Sequence, residues 1–209
     1  MRNMKKGILY VLSGPSGSGK TTLAKHVVNT VKYVDFAISY TTRKIRNGEK
    51  DGVDYKFIDE EIFKSMIDKN QFAEWAEVHG NLYGTPINEI DKVLDKGIDT
   101  LLDIDVQGSL QIKKKYKNSV HIFLIPPDLL TLRKRLSKRN TENESQLENR
   151  MKMAIKEISR INDYDYIIVS DNIDKSLKKL ESIIESVRLK TEYVIDDIFK
   201  LYNINNLNS

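Results

Sequence analysis

The chain has no cysteine, which excludes disulfide staples, thiolate metal centres and cysteine nucleophiles and leaves thiol content silent on the redox compartment. It has no apolar run near the roughly 18 residues needed to cross a bilayer. The first apolar run, at 8–12, leads straight into a glycine-rich loop and does not read as the core of a signal peptide. A soluble, cytoplasmic protein without a membrane partner is the expectation. Strong charge of one sign is missing as well. Basic residues number 34 against 30 acidic ones, a net charge of +4 with a pI near 9.0. That mild excess is spread along the chain, so a nucleic-acid partner is not expected, and a protein holding phosphorylated ligands needs such an excess anyway. No internal repeat and no linker interrupt the 209 residues, which suit one domain with small insertions.

What is present begins with ILYVLSGPSGSGKTTLAKHVV at 8–28. It reads as a strand (8–12), a loop (13–19) and a helix with Leu23, Ala24, Val27 and Val28 on one side. Gly14, Gly19, Lys20 and Thr21 complete the pattern GxxxxGK[ST] around Pro15, Ser16, Gly17 and Ser18. The glycines let the loop curl so that its N–H groups and the positive end of the helix meet a polyphosphate with no β-carbon in the way. Lys20 adds a mobile cation at the β and γ phosphates, and the Thr21 hydroxyl is a hard oxygen ligand for Mg²⁺. This is a nucleoside triphosphate cradle. Motors, GTPase switches and small-molecule kinases all use one, so the reaction stays open at this point.

Residues 34–40 read as a second strand, and TTRKIRNGEKDG after it as a polar loop. Arg43 and Arg46 on that loop make either a two-fork phosphate clamp or a solvated basic face. From 51 to 85 the strand-helix alternation breaks into an inserted lobe. It contains a strand at 53–58, a short helix at 59–69 with Ile62, Phe63, Met66 and Ile67 inward, and further short strands. Pro86 opens the next helix and Gly97 closes it. The run TLLDIDVQG at 100–108 is a buried strand delivering Asp103 and Asp105 to one side, near a metal, with a capping role for one of them the alternative. Lys113, Lys114, Lys115 and Lys117 read as a solvated helix face. A strand at 121–127 leads to a weakly anchored pair of helices, 129–138 and 146–162, bearing Arg133, Arg135, Arg139 and Arg150. This pair reads as a lid over the triphosphate or as an ordinary exposed hairpin. A strand at 164–170 and a helix from Lys175 close the chain, with a frayed tail from Asn203. The architecture expected is α/β: a parallel five-stranded sheet with helices on both faces, an inserted mixed lobe and a helical lid.

The segments SGPSGSGKT, SYTTRKIRNGE, DYKF, FAEWAEVHGNLYGT, LLDIDVQG, LIPP and RLSKR stand in an order and at separations that resemble guanylate kinase, from residue 7 to about 190. The resemblance implies transfer of the γ-phosphoryl group of Mg-ATP to GMP in purine nucleotide metabolism. It divides the chain into a core (1–38, 86–126, 163–200), a GMP-binding lobe (about 39–85) and a lid (about 127–162). Residues 14–21 then bind ATP, with Thr21 and Asp103 toward Mg²⁺. Arg43, Arg46, Tyr55 and Tyr83 match holders of the GMP phosphate, Glu74 the guanine reader, Ser39 and Thr85 hydroxyls around the ring, and Asp105 the GMP side. Lys20, Arg43, Arg135, Arg139 and Arg150 carry the catalysis. A carboxylate suits guanine because its N1–H and 2-amino group are adjacent donors, whereas adenine presents a lone pair there.

Three positions depart from the family pattern: Leu82 where many relatives carry tyrosine, Asn140 where they carry a lid glycine, and Ser170 where an asparagine commonly contacts adenine. Two alternatives remain, a non-catalytic interaction domain of the same fold and a kinase for another phosphorylated acceptor. The complete phosphate loop argues against the first and Glu74 against the second. Oligomeric state is not legible.

Overall fold

The structure is a computed structural model that describes residues 6–78, 80–137 and 144–204. Strand β1 (Leu9–Ser13) runs through the phosphate loop into α1 (Lys20–Thr30), and β2 (Val34–Phe36) follows. The chain then builds β3 (Tyr40–Thr41), β4 (Lys56–Phe57), α2 (Glu60–Asp68), β5 (Phe72–Val78) and β6 (Asn81–Pro86). It continues through α3 (Ile87–Leu94), β7 (Asp99–Asp103), α4 (Val106–Lys115) and β8 (Val120–Ile125), and goes out along α5 (Leu129–Ser137) and α6 (Glu144–Ile158). A 3₁₀ turn (Ile161–Asp163), β9 (Tyr166–Val169), α7 (Ile173–Arg188) and α8 (Thr191–Leu201) complete it.

Strands β2, β7, β1, β8 and β9 form, in that order, a five-stranded parallel sheet. Its central strand is apolar on both faces because both are covered. Tyr10 and Leu12 pack with Leu23, Ala24 and Val27 of α1 and Leu180, Ile184 and Val187 of α7, while Leu9 and Val11 meet Ile90 and Leu94 of α3 and Ile112 of α4. Each such fully buried aliphatic side chain contributes about 1.5–3 kcal/mol. The carboxylate of Asp99, fully buried at the start of β7, accepts the Ile8 N–H at 2.8 Å and Arg188 Nε at 2.9 Å, so the buried charge is paired and α7 is tied to the sheet. A second sheet, in the order β4-β3-β6-β5, carries the inserted lobe. Helices α5 and α6 pack through Leu132, Leu136, Leu147, Met151 and Ala154. No helix among the described residues is long and apolar enough to cross a membrane.

Several local expectations change. The run 34–40 is divided: β2 pairs with β7, and β3 pairs with β4 and β6 in the other sheet, so the lobe begins where one strand was expected. Of 53–58 only Lys56–Phe57 is strand, and Val53 is exposed. On α2 only Phe63 is fully inward, stacked on Phe72 at 4.3 Å, while Ile62 is exposed. Pro86 ends β6 and caps α3 from outside, and does not sit in its first turn. Strand β7 stops at Asp103, so Asp105 is not a strand residue and the same-side argument lapses. Its carboxylate caps α4, accepting the Gly108 N–H at 2.7 Å. The lysine run is not purely solvated, because Lys113 donates to the Asp163 carbonyl and Lys115 to the Phe72 carbonyl. The final helix breaks after Arg188, and α8 follows as a separate element.

Candidate active site

The site is assembled where β1 and β7 end. Their parallel register sets Leu12 beside Asp103, which brings a carboxylate from β7 to the base of the phosphate loop. Gly14, Gly17 and Gly19 have φ of 139°, 84° and 98°, conformations that side chains with a β-carbon rarely adopt. At Gly14 a β-carbon would also lie 2.1 Å from the Leu124 carbonyl oxygen of β8. The loop therefore hugs the sheet and presents the N-terminus of α1 outward. Lys20 Nζ folds back to donate to the Gly14 carbonyl at 2.6 Å and the Pro15 carbonyl at 3.2 Å. The Thr21 hydroxyl donates to Asp103 Oδ2 at 2.6 Å. Burial raises the Asp103 carboxyl above its ordinary range, opposed by the charge of Lys20 and by Thr21. A hydroxyl and a carboxylate in contact, both hard oxygen donors, are a fitting pair for Mg²⁺, which takes few protein ligands and completes its shell with water and phosphate.

A second group of candidate residues is built on the second sheet. Glu74 of β5 and Thr85 of β6 are paired across the strands, and both are buried. Thr85 Oγ1 donates to Glu74 Oε1 at 2.6 Å, so its single proton is spent, and the 2.8 Å contact with Ser39 must be a bond donated by the Ser39 hydroxyl. A directed chain, Ser39 to Thr85 to Glu74, thus holds one carboxylate oxygen. Burial pushes Glu74 up to about 7, opposed by Thr85 and Lys115 and reinforced by the charge of Asp105.

Beside it Arg43 is held from several sides. Its Nε donates to Tyr83 Oη at 3.1 Å, its two terminal nitrogens reach Glu49 at 2.8 Å each, and the guanidinium lies 5.4 Å from the Tyr55 ring centre. Glu49 raises the Arg43 pKa further, and Arg43 lowers that of Glu49. Burial, and next the charge of Asp103, push Tyr55 up to about 12. The side chain of Arg46 is exposed on the loop, and its backbone N–H donates to Glu49 at 2.8 Å. The expected pair of free forks is therefore one fork already neutralised by Glu49 and one in solvent. Sequence reasoning missed Glu49 as a partner, although a carboxylate three residues after Arg46 in a polar loop was the signal.

Arg135 of α5 and Arg150 of α6 contact the phosphate loop. Arg135 donates to the Ser18 carbonyl at 3.3 Å, Ser170 Oγ at 2.9 Å and the Ser170 carbonyl at 2.7 Å. Arg150 donates to Ser16 Oγ at 2.9 Å and the Leu136 carbonyl at 3.5 Å. Arg133 is instead paired with Glu144 and Glu148 on the outer side. Arg139 and Asn140 lie outside the described residues. The structure thus brings together residues 14–21, Asp103, Arg135 and Arg150 on one side and Ser39, Arg43, Tyr55, Glu74, Tyr83 and Thr85 on the other. Asp105 borders the second group as a helix cap.

The family model described as guanylate kinase matches residues 6–187. The chain belongs to the guanylate kinase family. Among curated guanylate kinases, that of Geobacter metallireducens is 42% identical over 200 residues, covering 96% of this chain and 98% of the relative. That of Clostridioides difficile is 45% identical over 187 residues, covering 90% and 91%. The crystal structure of guanylate kinase from Anaplasma phagocytophilum superposes with a TM-score of 0.78 at 32% identity, covering 97% of this chain and 98% of that one. Within this family frame two departures acquire a structural setting. Leu82 lies in β6, its N–H donating to Thr42 Oγ1 at 2.9 Å. Ser170 donates through Oγ to the Ser18 carbonyl at 2.9 Å, so it links the end of β9, the phosphate loop and Arg135.

Proposed function

We propose that the protein transfers the γ-phosphoryl group of ATP to GMP, giving ADP and GDP, as a soluble cytoplasmic enzyme of purine nucleotide metabolism. Family membership supports the activity. The observation that carries it in this chain is a buried carboxylate, Glu74, backed by Thr85 in the lobe that also holds Arg43, Tyr55 and Tyr83, in a chain with a complete phosphate loop.

On the donor side the N–H groups of residues 14–19 cradle the polyphosphate, and Lys20 exchanges its loop carbonyls for phosphoryl oxygens. Thr21 and Asp103 are the residues that would hold Mg²⁺, which would supply positive charge to offset that of the triphosphate. On the acceptor side Arg43, Arg46, Tyr55 and Tyr83 hold the GMP phosphate. Glu74 accepts from guanine N1–H and the 2-amino group, Ser39 and Thr85 orient that carboxylate, and Asp105 bounds this side. The acceptor's second phosphate pKa is about 6, so at neutral pH it is already largely a dianion and in-line attack requires no general base.

The lobe at 39–85 takes the acceptor, and the segment at 127–162 closes over the donor. Arg135 and Arg150 touch the phosphate loop through its carbonyl and hydroxyl groups. On closure they exchange these for phosphoryl oxygens, a charge-assisted contact about twice as strong as a neutral one, in a site shut to water. Arg139 completes the set by the family pattern.

A coupled assay across GMP, AMP, CMP and UMP tests the assignment. ATP consumption with GMP should exceed that with the others by orders of magnitude, and equal rates with AMP would overturn the guanine reading.

A further inference from the structure

Helix α4 meets the edge of the second sheet along one stripe, Gly108, Gln111 and Lys115, spaced three and four residues apart on a single face. The strand it meets is β5, an edge strand that carries Glu74. At Gly108 a β-carbon would stand 2.5 Å from Glu74 Oε2 and 3.2 Å from its carboxyl carbon. Gly108 lies within the helix and not at positive φ, so no turn or left-handed backbone calls for glycine there. Alanine is the better helix former, which leaves the approach of the carboxylate as the feature that needs the missing side chain.

One turn further, Gln111 behaves as a neighbouring strand toward β5. Its Oε1 accepts the Trp75 N–H at 3.1 Å, and its Nε2 donates to the Trp75 carbonyl at 2.7 Å. Lys115 then donates to the carbonyl of Phe72. The strand has a register shift between Phe72 and Glu74, a local irregularity of the kind that re-aims a side chain. Helix contacts on either side of it fix where Glu74 comes out. The same helix starts three residues after Asp103, so one rigid element links the Asp103 end of the site to the base-reading end.

We propose that α4 is the seat of the base-reading carboxylate: Gly108, by lacking a β-carbon, and Gln111, by gripping the backbone of Trp75, set where Glu74 stands and how strictly the 2-amino group of the acceptor base is read. This rests on Glu74 being the guanine reader. Both residues act through Glu74 and touch no substrate, so they are positioning residues. Displacing the carboxylate by about the overlap at Gly108 breaks a two-point contact with guanine but leaves a one-point contact with hypoxanthine, which lacks the 2-amino group.

The test is the ratio of kcat/KM for GMP to that for IMP in the wild type, Gly108→Ala, Gln111→Ala and Glu74→Ala. ATP affinity and the circular dichroism melt are measured alongside. Gly108→Ala should raise KM for GMP and lower the GMP:IMP ratio at least tenfold, with ATP affinity within twofold of wild type. Gln111→Ala should lower the ratio in the same direction, and it carries the test alone if Gly108→Ala fails to fold. A folded Gly108→Ala with an unchanged ratio, when Glu74→Ala has lost it, overturns the seating role. An unchanged ratio in Glu74→Ala overturns the reading of Glu74 itself.

Discussion

As the proposed guanine reader, Glu74 should make GMP binding a proton-linked event with a sign and size that follow from its burial. In the ligand-free protein its carboxyl is pushed up to about 7 because burial outweighs the hydrogen bonds from Thr85 and the charge of Lys115, with Asp105 adding to the rise. Guanine offers two donors and so requires the ionised form. With a pKa of about 7 the ionised fraction falls from about nine-tenths at pH 8 to about one-tenth at pH 6, so affinity for GMP drops about tenfold from Glu74 alone. The phosphate of GMP, with a second pKa of about 6, adds about twofold. The combined loss is about twentyfold, accompanied at pH 6 by proton release that titration calorimetry in two buffers of different ionisation enthalpy measures directly. In Glu74→Gln, whatever its absolute affinity, only the twofold phosphate contribution should remain. A twofold dependence in the wild type, parallel to that of the variant, would refute the reasoning.

The same shift has a stability consequence of opposite sense to the usual carboxylate. The folded-state pKa is raised above the ordinary glutamate value of 4.5, so the folded protein binds the proton more tightly, and stability falls as pH rises from about 4.5 to about 7. The penalty at pH 8 is on the order of 3 kcal/mol at 1.36 kcal/mol per unit. Glu74→Gln should therefore melt several degrees higher than wild type at pH 8 and near it at pH 4.5.

Further outcomes follow from other parts of the site. Asp103→Asn, which removes the carboxylate beside Thr21, should lower kcat at least about a hundredfold with no loss of thermal stability, since a buried charge is removed; added chelator should abolish turnover of the wild type. Arg43→Lys loses the two-pronged geometry now satisfied by Glu49 and should raise KM for GMP about tenfold or more, with ATP affinity unchanged; an unchanged KM would exclude Arg43 from the phosphate site. Gly14→Ala places a β-carbon 2.1 Å from the Leu124 oxygen at φ 139° and should cost at least about 3 kcal/mol in urea unfolding. His121 is buried between the hydroxyls of Ser109 and Ser119, at 2.8 and 2.9 Å, and burial depresses it to about 4. Its contribution to stability is present above pH 6.5 and lost as pH falls toward 4, so His121→Gln should show a flatter acid unfolding profile over that window.

The phosphate loop was legible before any coordinates because its chemistry is local. Gly14, Gly19, Lys20 and Thr21 act through backbone conformations and side chains within eight consecutive residues, and an alternation of apolar strands and amphipathic helices specifies the parallel sheet behind them. Glu74 was assigned only through the resemblance, since nothing in FAEWAEV distinguishes it from Glu77 until β6 sets Thr85 opposite the first of them. The run 34–40 misled because apolar content marks a buried strand but not which sheet receives it. Asp105 misled because strand periodicity was carried past the point where α4 takes over the backbone.

By itself the sequence determined the cradle and the layering, which depend on short-range spacing, while the arginine set came through the resemblance. The tertiary structure decided which groups meet. It tied Arg43 to Glu49, aimed Thr85 and Ser39 at Glu74, brought Asp103 against Thr21 and laid Gly108 under the carboxylate. All but the first are contacts between residues distant in the chain or on different elements, and their energies depend on burial and direction, which no local pattern of residue types encodes.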